Sequence, residues 1–213
     1  MLAEGSTPWA EATAGAMRDF LAVGPAKFRH ANGAEDVDTV YLGAFERDHF
    51  LGIGGYRTFP SGTVEDTDLY ARWRANGWTV RVDPSIVCWY APRRSWSGLF
   101  HQYFRYGVGK AELLRLNGRL PHGRPLAPAG LVGAMGVFTV SGLAWSWIPL
   151  AALSFAWATA LATVAVRAKT RRLRTAIVAA TMHLSYGAGL WRGLVGGRPT
   201  VQTLGMSERS PHS

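Results

Sequence analysis

Three carboxylates fall within four residues in Val64-Glu65-Asp66-Thr67-Asp68, at a point where a helix is expected to begin. A carboxylate at a helix start is favoured by the free N–H groups and the dipole of the first turn, so capping accounts for one of them. Three exceed what a cap uses, and Glu65 and Asp68, three residues apart, repel each other. A cost of that kind is tolerated more readily at a site than on an idle surface, so the cluster reads either as a cap or as a catalytic site.

A second cluster is His101-Gln102-Tyr103-Phe104-Arg105-Tyr106, on a long expected helix. Gln102 and Arg105 are three apart and leave the same face, and a planar guanidinium beside an amide suits a phosphate or a row of sugar hydroxyls. A helix lying on a membrane surface, aromatics in the interface and cations on headgroups, fits the same positions. Gly107 and Gly109 let another backbone approach closely, at a helix-propensity cost of about 1 kcal/mol each.

Two further signals carry less. Asp36-Val37-Asp38 has the Asp-x-Asp spacing used to hold divalent metals, but it precedes an expected strand and no third ligand can be named, so no metal site is assigned. Gly52-Ile53-Gly54-Gly55 lacks the strand and helix of a dinucleotide loop and reads as a turn. Cys88 has no partner in the chain, which excludes an intramolecular disulfide, and is expected to be a small buried apolar residue.

The elements that must position these residues read as mixed α and β. Thr7 caps a helix with Pro8 at its first position and Glu11 in its first turn, running to about Leu21. A strand is expected over 38–45, a charged helix over 66–76 ended by Gly77, short strands over 78–82 and 86–90, and a helix from Ser95 as cap to about Leu116. Helices between short strands imply part of an α/β domain, without the consecutive βα units of a complete doubly wound sheet.

The charge divides the chain. Its 213 residues carry a net charge of +9. Residues 1–122 hold 14 Lys and Arg against 13 Asp and Glu, whereas 123–213 hold 9 against 1. The excess therefore belongs to the apolar half, which argues for membrane topology and against nucleic-acid binding. Residues 128–166 contain no ionisable Asp, Glu, Lys, Arg or His; one straight helix of that length would be about 58 Å long, roughly twice a bilayer core. Two crossings folded at Trp145-Ser146-Trp147-Ile148-Pro149 are expected, and the basic loop 167–174 places both flanks on the cytoplasmic side of the plasma membrane. A third apolar stretch, 175–195, either crosses or lies at the interface. The expected division is 1–122, 123–197 and a polar tail 198–213. Glu4 and Glu11 precede the first cation, Arg18, so no cleavable signal is read.

Taken in order, residues 64–69, 71–77, Asp83-Pro84, 90–95 and 102–107, with 23–29, 38–40 and 43–47 upstream, resemble the back half of a family 2 glycosyltransferase of the succinoglycan and exopolysaccharide type, over roughly 15–196. The resemblance implies a GT-A, Rossmann-like α/β fold followed by transmembrane helices. It also implies inverting sugar transfer from a nucleotide-sugar donor to a glycan or lipid-linked acceptor. Asp66 would be the general base with Glu65 shaping the site, and Gln102, Arg105, Tyr106 and Asp68 would contact substrate. Gln102, Arg105 and Tyr106 fall on the family's Gln-x-x-Arg-Trp signature, with Tyr in place of Trp.

Family members begin with a nucleotide-binding strand and loop and an Asp-x-Asp that carries Mg or Mn, on the order of a hundred residues with no counterpart here. The expectation is therefore an acceptor half with a membrane anchor, without its own cofactor. Alone it would be inactive, with the donor half supplied by an extension or a separate chain. A non-catalytic membrane remnant or assembly partner that keeps the scaffold is the alternative.

Overall fold

In the computed structural model, which describes residues 2–3, 5–24, 33–121 and 123–203, the capping signals of the sequence mark helix starts. After a short strand, β1 (Leu2–Ala3), helix α1 (Pro8–Ala16) begins with the Ala10 N–H donating to Thr7 Oγ1 at 3.2 Å. It ends earlier than about Leu21 because Asp19 accepts from the Leu21 N–H at 2.8 Å and starts a new turn, α2 (Phe20–Val23). There follow β2 (Glu35–Asp36), α3 (Arg47–Gly52), β3 (Arg57–Thr58), α4 (Glu65–Ala75), β4 (Arg81–Val82) and β5 (Trp89–Tyr90). Four long helices come next, α5 (Trp96–Asn117), α6 (Leu126–Ala144), α7 (Ile148–Arg167) and α8 (Arg172–Leu194), and then β6 (Gln202–Thr203). Of the segments read in the sequence, Glu4, 25–29 and 204–213 lie outside the described residues.

The described residues are mostly helical, with few strands. Each strand has two residues, and they pair only two by two: β1 parallel with β5, β2 antiparallel with β4, β3 antiparallel with β6. No doubly wound sheet is present among them. The strand expected over 38–45 is irregular because Leu42 adopts a left-handed φ of 55°, which breaks an extended run. Its apolar side chains are still used: Val40 and Phe45 pack with Val37, Tyr70, Trp73 and Val80. The strand expected over 86–90 shrinks to Trp89–Tyr90, leaving Ile86 and Val87 exposed after the Asp83-to-Ser85 turn.

Helices α5 and α8 run side by side in the same direction. The Trp96 Nε1–H donates to Thr181 Oγ1 at 3.0 Å near their starts, and Gly193 lies against Val108 and Ala111 near the other end. Between these points glycine lets the backbones touch. A Cβ on Gly107 would lie 2.1 Å from the Tyr186 carbonyl oxygen, and one on Gly189 would lie 2.0 Å from that of Phe104. Helix α1 packs on α8 as well, in a core that includes Ala12, Ala16, Leu99, Val178, Ala179 and Met182.

Helices α6 and α7 are long and apolar enough to cross a membrane by length and composition. At 19 and 20 residues they measure about 28 and 30 Å. Their basal halves meet the helical core: Gly187 rests on Pro128 and Val132, Trp191 donates to the Ala129 carbonyl at 2.8 Å, and Val164 joins Val178 and Ala179, while Trp157 midway along α7 donates to His183 at 3.2 Å. Around the turn, Val140, Leu143, Trp145, Ile148 and Phe155 are exposed. The segment expected to be apolar at 175–195 is α8, which carries no acidic residue and buries one face against α5, α6, α7 and α1.

Part of the expected polar tail turns back: β6 pairs with β3, and Val201 packs against the cluster of Phe59, Val64 and Leu113.

Candidate functional site

Helix α4 starts without a local cap. Val64 stands at its N-cap with a left-handed φ of 71°, an outlier for a β-branched residue, and no side chain caps the turn. The conformation is imposed from α5. Arg105 donates to the Ser61 carbonyl through Nε at 3.0 Å and Nη2 at 2.8 Å, and to the Gly62 carbonyl at 3.2 Å. Ser61 Oγ donates to Glu112 at 2.6 Å, and Thr63 Oγ1 donates to the Arg105 carbonyl at 3.2 Å. Gly109 completes the fit, since a Cβ there would lie 2.2 Å from Thr63 Oγ1.

The three carboxylates of this turn have separate surroundings. Asp68 is 1% exposed; Arg72 Nε donates to it at 2.8 Å, and Arg57 Nη1 lies 3.6 Å from its other oxygen. Arg72 in turn donates to the Ile53 and Gly55 carbonyls at 2.6 and 2.7 Å. Asp68, expected to contact substrate, is thus turned inward, and the repulsion expected with Glu65 is offset by two arginines. Asp68→Ala should lower stability by about 3 kcal/mol by leaving Arg72 without its buried counter-charge. Thermal unfolding in detergent checks this, and an unchanged midpoint would remove the structural role.

Asp66 is exposed, its carboxylate accepting only from the Thr67 N–H at 2.6 Å and the Thr67 hydroxyl at 3.3 Å. Glu65 is half-buried beside it. Tyr56 faces both: burial first, and then the charges of Asp66 and Glu65, raise its phenol above the ordinary range.

On α5, Gln102, Tyr106 and Lys110 follow at intervals of four and form one stripe. Gln102 Nε2 donates to the hydroxyls of Tyr90 at 3.0 Å and Tyr106 at 2.8 Å. The Tyr106 phenol is pushed up by burial, then by Tyr90, with Asp66 adding to the effect, so it stays protonated at neutral pH. Lys110 Nζ donates to Thr67 Oγ1 at 2.7 Å. Burial lowers its ammonium to about 8, and Asp66 pulls the other way.

The sequence-predicted residues Glu65, Asp66, Gln102 and Tyr106 therefore form one cluster where the first turn of α4 faces α5. Arg105 is directed to the loop carbonyls of 61 and 62, and Asp68 to the interior. Lys110 is the member that sequence reading missed. Its signal was the four-residue step from Tyr106, hidden behind Gly107 and Gly109.

The Asp-x-Asp is split. Asp36 lies 3.8 Å from Arg81, and Asp38 pairs with Arg124 at the foot of α6. Among the described residues no three His, Cys, Asp or Glu side chains are grouped as metal ligands. Cys88 is half-exposed, which corrects the expected burial. It lines a cleft of about 260 Å³ with Tyr41, Tyr70, Thr79 and Asp83.

Comparison with known proteins gives one likeness to report. The chain is 27% identical over 202 residues to the succinoglycan biosynthesis protein ExoA of Rhizobium meliloti (strain 1021), an alignment covering 92% of this chain and 60% of that protein. The chain thus spans about three fifths of the length of the curated relative it matches. No family model matches it. No solved structure matches it either.

Proposed function

We propose that this chain is the acceptor-side half and membrane region of a GT-A, family 2 glycosyltransferase that acts in exopolysaccharide synthesis. The observation that carries the reading is Asp66: the exposed carboxylate of an acidic turn, at the N-terminus of α4, whose charge reaches the phenol of Tyr106, and that phenol accepts from the Gln102 amide. The likeness to a succinoglycan biosynthesis protein over nearly the whole chain supports it.

In this reading the acceptor is a glycan or lipid-linked hydroxyl. Asp66 takes its proton as the oxygen bonds to the anomeric carbon, while the bond from that carbon to the nucleoside diphosphate breaks on the opposite side, inverting the centre. Glu65 and Tyr56 shape the pocket around the base. Gln102, with Tyr106 and Tyr90 held on its amide, offers hydrogen bonds to sugar hydroxyls, and Arg105 fixes the loop beneath them.

The donor nucleotide-sugar is bound by a donor-binding part, either an N-terminal extension or a separate chain, which also holds any Mg or Mn. Asp36 and Asp38 do not fit that task, each being spent on an arginine. The test is transfer of labelled sugar to endogenous lipid acceptors in membranes that contain this chain with and without such a part. A second reading is a non-catalytic assembly partner that keeps the scaffold. It is selected if every such combination fails to transfer.

The membrane arrangement belongs to the same proposal: a plasma-membrane protein of two or more crossings, with 1–124 and 167–174 cytoplasmic. The basis is the pair of apolar helices followed by Arg167, Lys169, Arg171, Arg172 and Arg174. In a Cys88→Ser background, a cysteine at Ser146 should react with a membrane-impermeant maleimide on intact cells, and one at Thr170 only after permeabilisation. The reverse pattern would overturn the topology.

A further inference from the structure

Lys110 is the cation that binds the two halves of the site together. Its Nζ reaches across to Thr67, the residue that follows Asp66, and its charge and that of Asp66 act on each other. The first turn of α4 has no side-chain cap and begins at a left-handed valine, so its position depends on what α5 supplies. Three of the α5 contacts hold the preceding loop, through Arg105, Glu112 and Gly109. Lys110 is the one that holds the turn itself.

We infer that Lys110 is a positioning residue for Asp66: it anchors Thr67 and so holds the first turn of α4 with the Asp66 carboxylate aimed at the acceptor hydroxyl. The inference rests on the reading of Asp66 as the base. Among the described residues, the arginines that flank these two segments in sequence are directed elsewhere. Arg105, on the same helix, is spent on the carbonyls of 61 and 62, and Arg57 and Arg72 on Asp68. Among the acids, Glu112 accepts from Ser61, and Glu65 and Asp66 are the charges that reach Tyr56. The phenol of Tyr106, one turn away on α5, is neutral and receives the Gln102 amide. Asp66 is thus the charge that opposes the burial of Lys110, and Lys110 is the ammonium beside Asp66.

A coupled pair of this kind has a signature that packing alone does not give. An ammonium beside a carboxylate holds its proton to higher pH than burial alone would allow. Transfer by such an enzyme should fall as Lys110 loses its proton, with an alkaline limb near the midpoint of about 8.

The chain contains three lysines, Lys27, Lys110 and Lys169, so the titration can be read directly on the full chain in detergent by NMR of ¹³Cε-lysine, assigned by Lys→Arg substitution. The Lys110 signal should titrate near 8. In Asp66→Asn it should shift further down by about half a pH unit or more. If Lys110 titrates in the ordinary lysine range above about 10, or its midpoint is unmoved by Asp66→Asn, the inference is overturned.

A second arm uses the enzyme with its donor part. Lys110→Met should lower kcat and abolish the alkaline limb of the pH profile, and Lys110→Arg should restore part of kcat without restoring that limb. A wild-type profile in both variants would also overturn it. Coupling seen by NMR with no sugar transfer by any combination would leave the pair standing and remove the proposed function. Transfer that depends on Asp66, without coupling, would do the opposite.

Discussion

Asp66→Asn, made where the donor-binding part is present, is expected to slow sugar transfer by about 10² to 10⁴-fold while leaving the fold nearly intact. That loss corresponds to roughly 3 to 5 kcal/mol, the usual contribution of a general base. The substitution is conservative here because the side-chain hydrogen bonds of Asp66 are made within its own turn: its carboxylate accepts from the N–H and hydroxyl of Thr67, and an amide oxygen can still accept both. Asp68, two residues along, provides the contrast. Its buried pairing with Arg72 and Arg57 makes it a stability residue, so its variant should melt early rather than turn over slowly per folded molecule. Thr7→Ala, at the cap of α1, should cost about 1 kcal/mol of stability with turnover unchanged. Wild-type transfer rates in Asp66→Asn would return the acidic turn to a purely structural role.

Gly107→Ala should destabilise the chain by about 3 kcal/mol or more, although alanine is the better helix former by about 1 kcal/mol. The added methyl has nowhere to go. It would lie 2.1 Å from the Tyr186 oxygen and 2.7 Å from the Leu190 nitrogen, both backbone atoms that no rotamer change can move. Overpacking in a core typically costs 1–3 kcal/mol, and obstruction by backbone puts this case at or beyond the upper end of that range. Gly189→Ala presents the same obstacle from the other helix. Gly136→Ala in α6, where nothing lies within 4 Å, supplies the control and should be neutral or slightly stabilising. Tryptophan fluorescence during thermal unfolding in detergent separates these outcomes. Equal midpoints for Gly107→Ala and wild type would mean that α5 and α8 are not in backbone contact. Gly107 sits between Tyr106 and Lys110, so forcing the helices apart should also disturb the site.

What was legible in the sequence is what is decided locally. Thr7, Ser95 and Gly77 mark helix ends through contacts within four residues, and the structure uses each of them. The fold point of the apolar run was equally plain, because a proline and paired tryptophans interrupt an uncharged stretch. The strands were not legible. Alternating apolar residues in 38–45 look extended, yet a left-handed Leu42 diverts the chain and the same side chains fill an aromatic cluster instead.

The site divides along the same line. The acidic turn and the Gln102 to Tyr106 segment could be picked out by residue type. That Asp68 would be buried depended on Arg57, eleven residues upstream, and that Lys110 would reach Thr67 depended on a contact between two helices across 43 residues of sequence. Burial and long-range pairing of this sort leave no periodic trace.

The pairing of Gln202 and Thr203 with Thr58 and Arg57 bears on the order in which this protein is made. Residues 57–58 leave the ribosome early, with the acidic turn just behind them, but their partner strand is synthesised only after α6, α7 and α8. Val201 closes the cluster under Val64 at the same late moment. Translation therefore delivers the two long apolar helices before the last strand that braces the turn, and the finished turn is a product of the whole chain rather than of the nascent N-terminal segment.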